Sequence, residues 1–164
     1  DHYDLTISIN FDTHKFRGTQ RLWLRSLVPS LEKVYLDIED LTIFNVTSPN
    51  KAVFVGYEVD RRDPILGQRL SIEIPTTLSS MQEFILDIDY ETSSNASAVS
   101  WLNPEQTSGG KLPYMFTQCQ TIHARSIAPF QDTPSIKSTF TVRTVTPANI
   151  TTRVSGNLTV EDVV

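Results

Sequence analysis

The sequence predicts an all-β domain, a saddle-like antiparallel β-sheet sandwich with at most one very short helix. Three observations carry this prediction: apolar and polar residues alternate along many short segments, turn-forming residues separate those segments, and almost no stretch has helical periodicity. Short strands in this arrangement are typical of antiparallel sandwiches. With 164 residues, the chain has the length of one domain, and we expect a single domain over residues 1–164.

The first two strands form a predicted hairpin. Residues 3–11 alternate without interruption and place five apolar side chains on one face, as expected for a half-buried strand. Residues 12–15 supply a turn, and residues 16–27 resume the extended pattern. Within this second segment, Gly18 indicates a bulge or a close approach of the backbone to a neighbour.

Further strands are predicted along the middle of the chain, at 33–38, 41–46, 53–59, 69–74 and 83–91. The pattern then breaks over residues 92–111, which are rich in Ser, Asn, Gly and Pro. Connections longer than about 12–15 residues without structure of their own are uncommon and often functional. This segment is therefore a candidate functional loop, and we expect Trp101 to pack against it.

The C-terminal third returns to a strand pattern. We predict a short strand at 114–116, at most two helical turns within 120–127, and strands at 136–145 and 150–154. Residues 160–164 resemble a strand that is cut short, which leads us to expect a C-terminally truncated chain.

Composition excludes several classes of protein. Hydrophobic residues make up 39% and charged residues 20% of the chain, which is typical of a globular fold. Fourteen basic and nineteen acidic residues give a net charge of −5, the wrong sign for a nucleic-acid partner. No apolar run approaches the roughly 18 residues of a membrane span.

Cysteine content bears on the cellular compartment. The single cysteine, Cys119, excludes an intramolecular disulfide and favours a cytoplasmic location. Four N-x-[ST] sequons keep a secreted location open, at Asn45, Asn95, Asn149 and Asn157.

No catalytic or metal-binding motif is present in the sequence. The three histidines are scattered, and the metalloprotease motif H-E-x-x-H, the phosphate loop, the dinucleotide fingerprint and the nucleophile elbow are all absent. We therefore expect no catalytic residue and no metal in this chain. Cys119 and His123 have the types needed for a thiolate nucleophile, but a free cysteine is more often a small buried apolar residue.

Gln118 and Gln120 flank Cys119 and form a candidate ligand site. In an extended backbone their two carboxamides project to the same face, where carbonyl oxygens accept hydrogen bonds from an ammonium group. On spacing alone, the pair is more often a surface feature or a device that pins the backbone.

Four segments resemble the N-terminal domain of the leukotriene A(4) hydrolase and aminopeptidase B family of zinc metallopeptidases: WLNPEQTSG at 101–109, PYMFTQCQ at 113–120, IHAR at 122–125 and QDTPS at 131–135. LDIEDLTI at 36–43 and YETS at 90–93 resemble strands of the same family. The resemblance implies a non-catalytic domain that packs against a zinc catalytic domain of the same polypeptide. That domain would follow residue 164 and would hold the zinc, while this chain alone would have no activity and no cofactor.

The resemblance also assigns substrate-binding residues. Gln120 matches the second glutamine of the family's Q-x-Q segment, which helps hold the free amino group of peptide substrates, and Gln118 matches the first, for which a supporting role is expected. Thr121 replaces the usual alanine at a position that borders the first substrate side chain. Arg125 and Asp132 match structural positions, and we expect a fixed ion pair or backbone hydrogen bonds there that hold the glutamine segment rigid.

A stand-alone β-sandwich interaction module is the competing hypothesis. Such a module needs no catalytic partner and should not expose an apolar interface patch, whereas a domain taken from an enzyme should expose one.

Overall fold

The computed structural model describes residues 2–49 and 53–159, and within them the fold is all-β, as predicted. The strands are β1 (His2–Asn10), β2 (Lys15–Arg25), β3 (Leu31–Ile38), β4 (Thr42–Ser48), β5 (Val53–Phe54), β6 (Tyr57–Val59), β7 (Gln68–Leu78), β8 (Glu83–Glu91), β9 (Val99–Leu102), β10 (Tyr114–Thr117) and β11 (Thr139–Val145). The helical content in these residues is two short 3-10 turns, Pro104–Gln106 and Ala124–Ser126, where at most one short helix was predicted.

The strands form three sheets. A six-stranded sheet has the order β11-β1-β2-β8-β4-β5, a three-stranded sheet the order β3-β7-β6, and β9 and β10 form a two-stranded sheet. Pairing is antiparallel except between β1 and β11, which run parallel. The sheets are thus antiparallel, as predicted, with one parallel pair, which is possible because β11 reaches the sheet after a long connection rather than a hairpin turn.

The core lies where the six-stranded and three-stranded sheets face each other. Alternation along each strand directs one set of side chains inward, and these sets form a single apolar cluster. The fully enclosed members include Leu22, Ile88 and Tyr90 from the larger sheet and Leu70 and Ile72 from the smaller one. The predicted sandwich is thus confirmed.

Gly18 permits a close approach within this core, which is one of the two roles predicted for it. The register of β2 against β1 and β8 is continuous, so no bulge is present at this position. Instead, the ring of Tyr90 covers the glycine, and a Cβ placed on Gly18 would lie 2.3 Å from Tyr90 Cζ. Any other residue would collide with a fully buried ring.

Residues 92–111 contain more structure than the sequence predicts. β9 pairs with β10, and Trp101 on β9 packs edge-to-face against Phe11 and Phe16 and stacks on His14. The β9–β10 hairpin is thereby attached to the β1–β2 turn. β9 was not predicted because it is short and lies within a stretch rich in Ser, Asn, Gly and Pro, which has the composition of a loop.

Two other predictions differ from the structure. Residues 53–59 divide into β5 and β6, which pair in different sheets. Residues 150–154 do not form a strand, because an alternating sequence becomes one only when its backbone groups bond to a neighbouring strand. The predicted extended end at 160–164 lies outside the described residues. Within those residues, no helix has the length and apolar character that crossing a membrane requires.

Candidate functional site

The glutamine loop, defined as Gln118–Thr121, begins directly after β10. Gln118, Gln120 and Thr121 are all exposed, and the Gln120–Thr121 peptide bond is cis. The backbone N–H of Gln120 donates to the carboxamide oxygen of Gln118 over 2.9 Å. The carboxamide of Gln120 itself has no hydrogen-bond partner among the described residues. The two glutamines therefore differ: one is used inside the loop and the other is available to a ligand.

The start of the glutamine loop and the 3-10 turn that follows the loop are both bonded to the backbone of Ala98, just before β9. Gln118 donates its backbone N–H to the Ala98 carbonyl over 2.9 Å, and the Ala98 N–H donates to Ser126 Oγ over 3.0 Å. The Ser126 hydroxyl in turn donates to the His123 carbonyl over 2.8 Å. Ala98 and Ser126 are buried, so these bonds are protected from water.

A backbone hydrogen bond closes the loop itself. The N–H of His123 donates to the carbonyl of Cys119 over 2.9 Å. The Cys119 side chain is half-buried, and burial raises the pKa of its thiol, with a smaller contribution from the negative charge of Asp132. A raised pKa reduces the thiolate fraction, which is the opposite of what a thiolate nucleophile needs.

Arg125 forms the base of the loop and is only 6% exposed. Its Nε donates to Asp132 Oδ2 over 3.0 Å, its backbone N–H donates to the same oxygen over 3.1 Å, and its Nη2 donates to the Asp132 carbonyl over 3.2 Å. Arg125 Nη1 also donates to the Leu66 carbonyl. The predicted ion pair between Arg125 and Asp132 is therefore present, with backbone bonds added to it.

The end of β3 holds this base in place. Asp37 and Phe130 exchange two backbone hydrogen bonds of 2.6 and 3.1 Å, and the Glu39 N–H donates to the Arg125 carbonyl over 2.9 Å. The Asp132 N–H donates to Asp37 Oδ2 over 2.9 Å. Residues 125–132 are thus bonded to the three-stranded sheet almost as an additional strand would be.

Two further residues, Glu39 and Ser97, lie beside the loop and were not predicted from the sequence. Ser97 Oγ lies 2.5 Å from Glu39 Oε2 and 2.8 Å from His123 Nδ1. The three residues are separated by at least 26 positions in the chain, so no spacing pattern could have indicated that they meet.

An exposed aromatic pair leads into the glutamine loop. Tyr114 and Phe116 alternate along β10 and so share one face, with their ring centroids 6.1 Å apart. They are 55% and 43% exposed, and Leu112, just before β10, is exposed as well. Apolar side chains in this arrangement are typical of a surface that another protein surface covers.

The described residues contain no group of three or more His, Cys, Asp or Glu side chains placed to hold a metal ion. What the site offers is hydrogen bonding: an exposed carboxamide, an exposed hydroxyl at Thr121 and a rigid base.

A family model described as the Peptidase M1 N-terminal domain matches residues 1–163. Leukotriene A-4 hydrolase of Xenopus laevis is 40% identical over 139 residues, which cover 85% of this chain and 22% of that protein. Leucine aminopeptidase 2 of Saccharomyces cerevisiae is 35% identical over 169 residues, which cover 98% of this chain and 23% of that protein.

Among solved structures, an M1 zinc metallopeptidase from Deinococcus radiodurans has the same fold, with a TM-score of 0.75 at 18% identity. The match covers 98% of this chain and 35% of that structure. The chain spans less than a quarter of the length of the two curated relatives it matches.

Proposed function

The chain belongs to the Peptidase M1 N-terminal domain family, and from this membership we propose that it is the non-catalytic N-terminal domain of a zinc aminopeptidase. Its glutamine loop helps bind the free amino terminus of peptide substrates. The zinc and the residues that activate water belong to a catalytic domain of the same polypeptide, beyond residue 164.

The exposed carboxamide of Gln120 is the observation that carries this proposal. A carboxamide oxygen accepts hydrogen bonds from an ammonium group without a charge of its own. An exopeptidase needs such a group at a fixed distance from its reaction centre, because it must distinguish a free amino terminus from an internal peptide bond. The bonds from Ala98 and Arg125 below the loop supply the rigidity that a fixed distance requires.

Gln118 and Thr121 have different roles in this proposal. Gln118 shapes the loop through its bond to the Gln120 N–H, so it acts on the substrate mainly through Gln120. Thr121 follows Gln120 directly and is exposed, which suits a position that borders the first substrate side chain. Its methyl and hydroxyl groups reduce the space there relative to an alanine.

Contact with a catalytic domain is supported by the aromatic pair on β10. Tyr114 and Phe116 are exposed next to the loop that would enter the active site, so the same partner surface would cover them. The relatives are about four times as long as this chain, which leaves room for such a domain. A stand-alone module would leave the pair exposed to water.

The first experiment is to sequence the transcript beyond the codon for Val164, in search of H-E-x-x-H in a helical context. Its presence supports the proposal. A stop codon shortly after Val164 favours the stand-alone module instead, and concentration-dependent sedimentation of the chain then tests whether its apolar surface remains unpaired.

The second experiment measures peptide hydrolysis by the full-length protein carrying Gln120→Ala. We expect kcat/KM for peptides with a free amino terminus to fall at least tenfold, about 1.4 kcal/mol. Gln82→Ala is the matched control, because Gln82 is also an exposed glutamine and its side chain accepts a bond from the Ser79 N–H in the β7–β8 turn, far along the chain from the glutamine loop. A wild-type kcat/KM for Gln120→Ala would remove this residue from substrate binding.

A third variant, Thr121→Ala, tests the specificity role. We expect the ratio of kcat/KM between peptides with large and small first residues to rise, because the substitution enlarges the space beside Gln120. An unchanged ratio would place Thr121 outside the specificity pocket.

A further inference from the structure

Three side chains from distant parts of the sequence meet beside the C-terminal end of the glutamine loop. Ser97 Oγ lies between Glu39 Oε2, at 2.5 Å, and His123 Nδ1, at 2.8 Å. The other carboxylate oxygen of Glu39 accepts a hydrogen bond from Arg62 Nη2 at 3.3 Å. The result is a continuous chain of hydrogen bonds from Arg62 through Glu39 and Ser97 to the imidazole.

The direction of each bond follows from the protons available. An ionised carboxylate only accepts, so the single hydroxyl proton of Ser97 goes to Glu39. Ser97 Oγ has no second proton, so it accepts the bond from His123 Nδ1–H. The carboxylate and hydroxyl thereby fix both the orientation of the imidazole and its tautomer, with the proton on Nδ1.

His123 transmits this constraint to the glutamine loop. Its backbone N–H closes the loop on the Cys119 carbonyl, and its own carbonyl accepts from Ser126 Oγ. The residue after Ser97, Ala98, holds Gln118 at the other end of the loop. Residues 97 and 98 therefore restrain both ends of the segment that carries Gln120, one through a side chain and the other through the backbone.

We propose that Glu39, Ser97 and His123 are positioning residues for the amino-terminus contact of Gln120. They do not touch the substrate. The carboxylate–hydroxyl–imidazole chain holds the end of the glutamine loop against the corner of β3, and so sets where the Gln120 carboxamide lies. The inference rests on the proposed function, because it assigns a purpose to the position of that carboxamide.

The kinetic test uses the full-length protein carrying Ser97→Ala. This variant removes the shared hydroxyl and with it both side-chain bonds. We expect kcat/KM for peptides with a free amino terminus to fall about three- to tenfold, because two exposed bonds that act on the substrate only through the position of Gln120 should together contribute about as much as one direct hydrogen bond. The division of the change between KM and kcat should match that of Gln120→Ala, because Ser97 acts only through Gln120.

A double-variant cycle separates this role from a general loss of stability. In the Gln120→Ala background, Ser97→Ala should cause little further loss, since the group it positions is already absent. A full additional three- to tenfold loss would overturn the inference. If Gln120→Ala alone leaves kcat/KM unchanged, the proposed function of Gln120 is wrong. Failure of the proposed function is therefore distinguishable from failure of the positioning role of Ser97.

Two further variants provide rescue and control. His123→Asn retains a side-chain N–H close to the position of Nδ1, so it should keep kcat/KM within about twofold of wild type, whereas His123→Ala should resemble Ser97→Ala. Thr19→Ala removes a comparable hydroxyl–carboxylate bond, 2.9 Å to Asp89 on the solvent-facing side of the six-stranded sheet. It should leave the kinetics unchanged.

Nitrogen NMR of the imidazoles gives a spectroscopic readout that does not depend on activity. The 164-residue chain contains three histidines, and the His123 signal is identified by its loss in His123→Asn. In mildly alkaline buffer we expect His123 to carry its proton on Nδ1 and to lose this preference in Ser97→Ala. A proton on Nε2 in the wild-type chain, or no change in Ser97→Ala, would overturn the inference.

Discussion

The sandwich core and the glutamine-loop region, residues 96–132, are held together by different forces. In the core, Leu22, Ile72 and Ile88 are completely buried and pack in one apolar cluster. In the loop region, the key buried groups are Arg125 and Ser126, and their contacts are hydrogen bonds and an ion pair. Apolar burial dominates in the first region, whereas the second combines apolar contacts, such as those of Ala128 and Phe130, with a set of directional polar contacts.

The difference follows from what each region has to expose. A core gains stability by removing apolar surface from water, which is non-directional and tolerates similar shapes. A loop that presents Gln120 to a ligand has to stay at the surface, so few apolar contacts are available to order it. Directional bonds from buried donors below supply that order instead.

The largest expected effect compares a buried and an exposed ion pair. Arg125→Ala leaves Asp132 without its main partner in a buried site, and we expect the free energy of unfolding to fall by about 3–5 kcal/mol. Arg21→Ala removes an exposed bidentate pair with Asp87 and should cost less than about 1 kcal/mol. Denaturant unfolding of both variants measures the difference. If both variants lost the same free energy of unfolding, burial would not account for the strength of the Arg125–Asp132 pair.

The next effect tests packing in the core. Gly18→Ala places a Cβ against the ring of Tyr90 and should lower the free energy of unfolding by about 1–3 kcal/mol. Gly56→Ala is the matched control, because the nearest atom to its Cβ would be Glu73 Oε2 at 3.3 Å, the end of a flexible side chain. Denaturant unfolding measures both variants. If Gly18→Ala and the wild type had similar unfolding midpoints, the ring of Tyr90 would have room to move.

A pair of hydroxyl deletions contrasts the two regions directly. The Tyr90 hydroxyl is buried without a partner among the described residues, and burial raises its pKa well above the ordinary value. Tyr90→Phe should therefore raise the free energy of unfolding by about 1 kcal/mol. Ser126→Ala, which leaves the Ala98 N–H unpaired, should lower it by about 1–3 kcal/mol. Denaturant unfolding of both variants checks this prediction. If the two substitutions changed the free energy of unfolding in the same direction, the contrast between the core and the loop region would be wrong.

The smallest expected effect concerns Cys119 and changes a reaction rate rather than stability. Because burial raises the pKa of this thiol, the thiolate forms at higher pH than in an unfolded chain. Alkylation by iodoacetamide should be slower in the native protein than in denaturant, and its rate should still be rising where that of an ordinary thiol has levelled off. Equal rates in the two states would show that the loop opens freely.

The sequence predicted the strands best where alternation was long. Residues 83–91 were predicted with the bounds that β8 has, and the apolar face of β1 is the buried face. β9 was missed because its four residues lie within a loop-like stretch rich in Ser, Asn, Gly and Pro. Residues 150–154 had the pattern of a strand but have no ladder partner in the described residues, and pattern alone does not supply one.

At the candidate site, spacing indicated Gln118 and Gln120, and the family resemblance indicated Thr121 and the pairing of Arg125 with Asp132, all within 15 consecutive residues. These residues are close in sequence, so their proximity in the fold needs only a local loop. The meeting of Glu39, Ser97 and His123, the cover of Tyr90 over Gly18 and the parallel pairing of β11 were decided only by the tertiary structure. Each joins residues that are brought together by sheet packing, and contacts of that kind leave no periodic signal along the chain.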